Sequence, residues 1–269
     1  MTEVRLRSIF LHVCVPGQED NAPNYPQEEE FPTLTQIGEG LSLVLDSLGI
    51  RAVVAMGDGA GANIVCRFAI AHPQRCMGVI LIHCTSTTAG VLEYIKDKVI
   101  HHRLSTQGMN KVAWDYLITH KFGDSRSSNV AVQDYLTDLK TRINPTNLAK
   151  FLDRFLRRTD LSSTLATKLK VDALLVVGSR ASHLHTVQTM SKSMNTNNSS
   201  LLIVDECGDV ISEAPSKLAR ALILFCKGCG VLSGVGIPGM ERQRTLSGSM
   251  EEADRPFQSM PHPQRRSHH

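Results

Sequence analysis

The sequence predicts an α/β fold: a mostly parallel sheet flanked by helices, with a helical cap inserted between strands and a disordered C-terminal tail. Three observations carry this. Short apolar runs alternate with stretches of helical apolar spacing, as strands do when crossover helices bury both of their faces. One long block, Thr88 to Arg158, has helical character and little strand character. From Val231 onward Gly, Pro, Ser, Arg and Met dominate and periodicity is lost, so the last residues cannot bury enough surface to fold alone. The expected boundaries are a domain over 1–230, its cap at roughly 88–160, and a tail over 231–269.

In chain order, Ser8–Val15 reads as a short apolar strand and Pro16–Pro32 as a polar, proline-rich loop. Thr33–Leu48 has helical spacing through Leu34, Ile37, Leu41, Val44, Leu45 and Leu48. Thr35, Gln36 and Glu39 offer polar groups at its first turn, and Gly49 closes it. Further strands are expected at Arg51–Met56, Met77–His83, Val171–Val177 and Leu201–Val204. Helices are expected at Asn63–His72, Leu184–Met194 and Ala214–Lys227. Sheets of this class keep their sites beyond the carboxyl ends of the strands, where the cap would lie.

Composition excludes several function classes. The 269 residues carry a net charge of +3, too weak and too scattered to imply nucleic acid. No apolar run approaches the roughly 18 residues of a membrane span, and Met1-Thr2-Glu3-Val4-Arg5 is not a signal peptide. Of seven cysteines, Cys14, Cys66, Cys76, Cys84 and Cys226 sit in apolar stretches and read as reduced core thiols of a cytoplasmic protein. Cys226-Lys227-Gly228-Cys229 falls where a helix ends, so its dipole does not favour a thiolate, and no second pair completes a zinc site. His101-His102 and His268-His269 have no partners at metal-ligand spacing. No metal site and no cofactor are expected.

Gly57-Asp58-Gly59-Ala60-Gly61 follows an apolar strand and opens a helix, with the spacing of the G-x-S-x-G nucleophile elbow of α/β-hydrolases. Glycine, at position 59, stands where the nucleophile belongs. Asp58 comes one residue early on a tight turn and is expected to be a solvated or backbone-bonded loop residue. The acid should follow the strand ending at Val177, but Gly178–His183 holds no carboxylate. The histidine should follow Val204, but Asp205–Val210 holds none. All three catalytic positions are degenerate, so no catalytic residue is assigned. A Cys84–His83 pair is disfavoured because neighbours on a strand face opposite ways. His83 and His183 are expected to be solvated or satisfied.

Several blocks together resemble the N-myc downstream-regulated (NDRG) family. His12-Val13-Cys14-Val15-Pro16-Gly17-Gln18 is similar to that family's H-V-D-A-P-G-Q, from which Cys14 and Val15 depart. The elbow followed by Arg67-Phe68-Ala69 is the family's version. Asn144-Pro145-x-Asn147-Leu148, Phe151 and Arg157-Arg158-x-Asp160-Leu161 match N-P-x-N-L…F…R-R-D-L, with one extra residue at Thr159. Leu174–Gly178 and Asp205-x-Cys207-Gly208 match later blocks. The resemblance implies a catalytically inactive α/β-hydrolase fold. That family continues upstream of Met1, so the chain reads as an N-terminally shortened or divergent member lacking the first strands.

In the tail, Arg242-Gln243-Arg244-Thr245-Leu246-Ser247 is an R-x-R-x-x-S string that suits a basophilic Ser/Thr kinase. Ser247 is the fitting acceptor, with Thr245 and Ser249 as neighbours, and the resemblance strengthens this reading. The function expected is that of a non-enzymatic adaptor in cytoplasmic signalling, stress response or differentiation, with proteins as partners. The alternative is a residual hydrolase or small-ligand-binding pseudoenzyme using Asp58, Cys84 or His183.

Overall fold

The computed structural model describes residues 2–88, 111–123 and 129–237. Strands β1 (Val53–Asp58), β2 (Cys76–Ile82), β3 (Ala173–Gly178) and β4 (Ser199–Val204) form one parallel sheet in the order β1-β2-β3-β4. The alternation of side chains along each strand divides the core. Val79 and Leu81 of β2 and Leu175 and Val177 of β3 face helices α2 (Leu34–Ser47), α3 (Ala60–Ala71) and α8 (Leu184–Lys192). Ile80, Ile82, Leu174 and Val176 face the opposite side, against α9 (Val210–Glu213) and α10 (Pro215–Gly228). Every residue of β3 is buried, which is why its apolar run is continuous rather than alternating.

A short helix, α1 (Thr2–Leu6), begins the described chain, and another, α7 (Leu165–Lys168), precedes β3. Between β2 and β3 lie the cap helices α4 (Lys111–Phe122), α5 (Asn129–Thr141) and α6 (Pro145–Leu156). The start of α6 is fixed locally: the Asn144 side chain accepts from the Thr146 and Asn147 amides, and Pro145 occupies the first turn. In α2 the cap is Thr33. The Thr33 hydroxyl accepts from the Gln36 amide while the Gln36 side chain accepts from the Thr33 amide, a reciprocal capping box.

Three expectations are corrected. Ser8–Val15 is irregular rather than a strand; Ile9 is 97% exposed, and Phe10, Leu11 and Val13 are exposed as well. An apolar run becomes a strand only where a neighbour completes its ladder. Among the described residues none pairs with this segment, and the outer edge of β1 is open. Cys14 lies in the same exposed stretch and is no core thiol, whereas Cys207 is buried. Packing also runs past residue 230: Val235 is buried and the Lys227 ammonium donates to the Ser233 carbonyl. Gly230 takes φ +81° as its amide returns to Lys227, closing α10.

Candidate functional site

The elbow joins β1 to α3 at the carboxyl edge. A Cβ on Gly57 would lie 2.5 Å from the backbone of Gly61 and Ala62, so the helix can fold back on the strand only over glycine. Gly59 adopts φ +55°, and its amide donates to the Ile82 carbonyl at 2.9 Å. A Cβ there would meet nothing within 4 Å. The space for a nucleophile is thus present and no side chain fills it. Gly61 has open space as well; the turn depends on Gly57 and Gly59.

Asp58, expected to be a solvated or backbone-bonded loop residue, is half-buried and bonded to two side chains. Its Oδ1 accepts from His83 Nδ1 at 2.9 Å, and its Oδ2 lies 3.3 Å from Lys121 Nζ. Lys121 in turn stands 3.4 Å from Asp209 Oδ2. Burial acts to raise the Asp58 carboxyl, but the His83 hydrogen bond and the Lys121 charge outweigh it and hold the group below its ordinary range. Asp209 is 1% exposed, and its Oδ2 also accepts from the Ser212 hydroxyl at 2.7 Å. Asp58, His83 and Asp209 each place a ligand-capable atom within 4.8 Å of the others, a grouping that sequence spacing did not reveal.

The histidines, expected to be solvated or satisfied, each have a partner on Nδ1: Asp58 for His83 and Ser182 for His183. His83 is buried at φ +49°, and its Nε2 has no hydrogen-bond partner among the described residues. Its ring packs edge-on against His183 at 5.2 Å, and His183 lies 5.4 Å from His120. Burial, then the proximity of His120 and His83, pushes His183 down to about 3, so it stays neutral at any physiological pH. His101 and His102 lie outside the described residues.

Asp58, His83, Lys121, His120 and His183 form the floor of a cavity of about 320 Å³, which Asp209 does not line. Its roof is apolar and comes from the cap: Leu117 of α4, and Leu148, Phe151, Leu152, Phe155 and Leu156 of α6. Tyr135 of α5 also lines it; burial, together with the carboxylates of Asp58 and Asp209, pushes its phenol up to about 12 and keeps it neutral. Cys84 takes no part. It is fully buried in the core on the α3 side, and burial raises its thiol well above the ordinary range. Cys66 beside it is pushed up to about 12. Neither offers a thiolate.

The loops after β3 and β4 are stitched together where a catalytic acid and histidine would stand. The Glu206 amide donates to Ser179 Oγ at 3.0 Å and the Arg180 amide to the Cys207 carbonyl at 2.9 Å. A Cβ on Gly178 would lie 2.3 Å from that carbonyl. Sequence reasoning missed Lys121, His120, Tyr135 and Asp209. The first three sit among helical cap residues with no motif. Asp209 carried a signal, being an acidic residue in the loop after the last strand.

A family model described as the Ndr family matches residues 1–233. The chain belongs to the Ndr family. It is 61% identical over 257 residues to the "Uncharacterized protein ZK1073.1" of Caenorhabditis elegans, covering 95% of this chain and 78% of that one. It is 30% identical to "Protein NDRG1-A" of Xenopus laevis over 92% of its length, and spans 63% of that protein. Among solved structures, MenH from S. aureus aligns with a TM-score of 0.65 at 16% identity, over 80% of this chain and 82% of that one. A thermophilic esterase from Thermogutta terrifontis aligns at 0.63 and 17%, over 74% and 73%. These likenesses establish the fold, that of the α/β-hydrolases. Among the described residues, no helix of this Ndr chain is long and apolar enough to cross a membrane.

Proposed function

We propose that this Ndr protein is a non-enzymatic regulatory protein: an adaptor in cytoplasmic signalling, stress response or differentiation that presents a hydrolase-like body to partner proteins. One observation carries the reading. The nucleophile position is Gly59, and the carboxylate beside it is tied to His83 and Lys121. A panel of short-chain ester substrates is expected to give no turnover with purified protein. Turnover abolished by Asp58→Asn would overturn the proposal.

We place the regulatory input in the C-terminal tail beyond the packed Val235, with Ser247 as the kinase acceptor and Thr245 and Ser249 as neighbours. All three lie outside the described residues; the arginines at 242 and 244 support the assignment. Incubation with an arginine-directed Ser/Thr kinase and peptide mass mapping is expected to find phosphate between Thr245 and Ser249. Phosphate elsewhere but never there would sink it. The cavity favours a second reading, a pseudoenzyme that retains a small ligand, since an apolar roof over a few polar groups is the usual character of such sites.

A further inference from the structure

We propose that Asp58, His83 and Asp209 form a binding site for a divalent transition-metal ion, with the Lys121 ammonium occupying it in the ion's absence. The three residues come from three separate strand ends: Asp58 closes β1, His83 follows β2, and Asp209 follows β4. Each contributes one ligand atom, and those atoms lie within 4.8 Å of one another, close enough to share an ion. Two carboxylates and one imidazole are the donors that zinc and its neighbours in the first row accept.

A further observation points to a ligand. Asp209, 1% exposed, turns its carboxylate into the cluster: Oδ2 faces Lys121, while the buried Oδ1 has no hydrogen-bond partner among the described residues. A buried polar atom left unsatisfied costs about 1–3 kcal/mol, and a charged one more, so such atoms are usually completed by something. Lys121 already sits as a cation between the two carboxylates, at 3.3 Å from Asp58 and 3.4 Å from Asp209. It neutralises only one of the two negative charges. A divalent ion neutralises both, and the long lysine side chain, partly exposed at the cavity, has room to withdraw. Because Lys121 belongs to α4, loading the ion would release this tie between cap and sheet. The inference concerns binding and holds whether or not the tail is a kinase target.

The test uses the full chain, stripped with chelator and titrated with Co²⁺ and Zn²⁺ by calorimetry, with the Co²⁺ visible spectrum as a second readout. The expected result is one ion per chain, with a spectrum of nitrogen and oxygen ligands and none of the intense charge-transfer absorption of thiolates. Asp209→Asn and Asp58→Asn should each weaken binding by roughly tenfold or more. Lys121→Met should tighten it, an outcome that damage to the fold could not produce. Absence of binding in both parent and Lys121→Met would overturn the proposal. So would binding unchanged in Asp58→Asn and Asp209→Asn, or a thiolate spectrum placing the ion at Cys226 and Cys229.

Discussion

Arg67→Met is expected to destabilise the protein by about 3–4 kcal/mol, read as a lower midpoint in urea or thermal unfolding. Arg67 lies on α3, the elbow helix, and is only 5% exposed. Its guanidinium is almost fully committed. Nε donates to Asn63 Oδ1 at 2.9 Å, Nη1 to the hydroxyls of Thr35 and Thr159 at 2.7 and 2.8 Å, and Nη2 to the Thr159 carbonyl at 2.6 Å. The residue thereby ties α2, α3 and the segment that leads from the cap back to β3. Methionine keeps much of the aliphatic stem and removes the five donors, so the loss reports the polar network rather than the packing. Hydrogen bonds to a charged group contribute about 1.5–3 kcal/mol each in isolation, and the acceptors left behind are themselves partly buried. Lysine should not rescue it, because one ammonium cannot reproduce the planar fork that reaches four acceptors. A loss below about 1 kcal/mol for Arg67→Met would mean that water replaces the guanidinium, and that the network does not hold the cap to the sheet.

Thr159 shows where sequence reading stopped. As one residue beyond the R-R-D-L spacing it was an irregularity, yet its hydroxyl and carbonyl are what Arg67 grips. The strands and long helices were legible because burial writes itself into local composition: β3 is apolar throughout, and α2 keeps its spacing over 14 residues. Ser8–Val15 has the same composition and is no strand, since composition does not reveal whether a neighbouring ladder exists. The elbow was legible because steric need is local. Gly57 and Gly59 answer to contacts and dihedrals within a few residues. The site was not. Asp58 looked like a solvated or backbone-bonded loop residue because its partners, His83 and Lys121, arrive from the end of the next strand and from the cap, and Asp209, which shares Lys121, from the last loop. No spacing rule joins residues that only the sheet order brings together.

Asn147→Ala is expected to cost about 3 kcal/mol and, before that, to loosen the long loop at 16–32 from the cap. Asn147 is fully buried on α6. Its side chain does for that loop what a ladder does for a strand. Nδ2 donates to the carbonyls of Gly17 and Pro23, both at 2.8 Å, and Oδ1 accepts from the Tyr25 amide at 2.8 Å. Three backbone groups that lie more than 120 residues away in the chain are satisfied by one amide. The fit is close: a Cβ on Gly17, at φ +76°, would stand 2.9 Å from Asn147 Nδ2. Alanine leaves a donor and two acceptors, part-buried in the wild-type contact, without partners, at up to about 1–3 kcal/mol each before relaxation, while the loop recovers part of this by turning to water. Asn147→Asp separates geometry from chemistry. It is isosteric but carries no donor, so it would face the Gly17 and Pro23 carbonyls with a buried negative charge and should be worse than alanine. Amide hydrogen exchange locates the effect. Tyr25 should lose protection in Asn147→Ala before the amides of β3 do, because the loop opens locally while the sheet stays closed. Equal loss at both places would mean that the loop and the sheet unfold as one unit, and that the N-P-x-N block holds up the whole domain rather than this one loop.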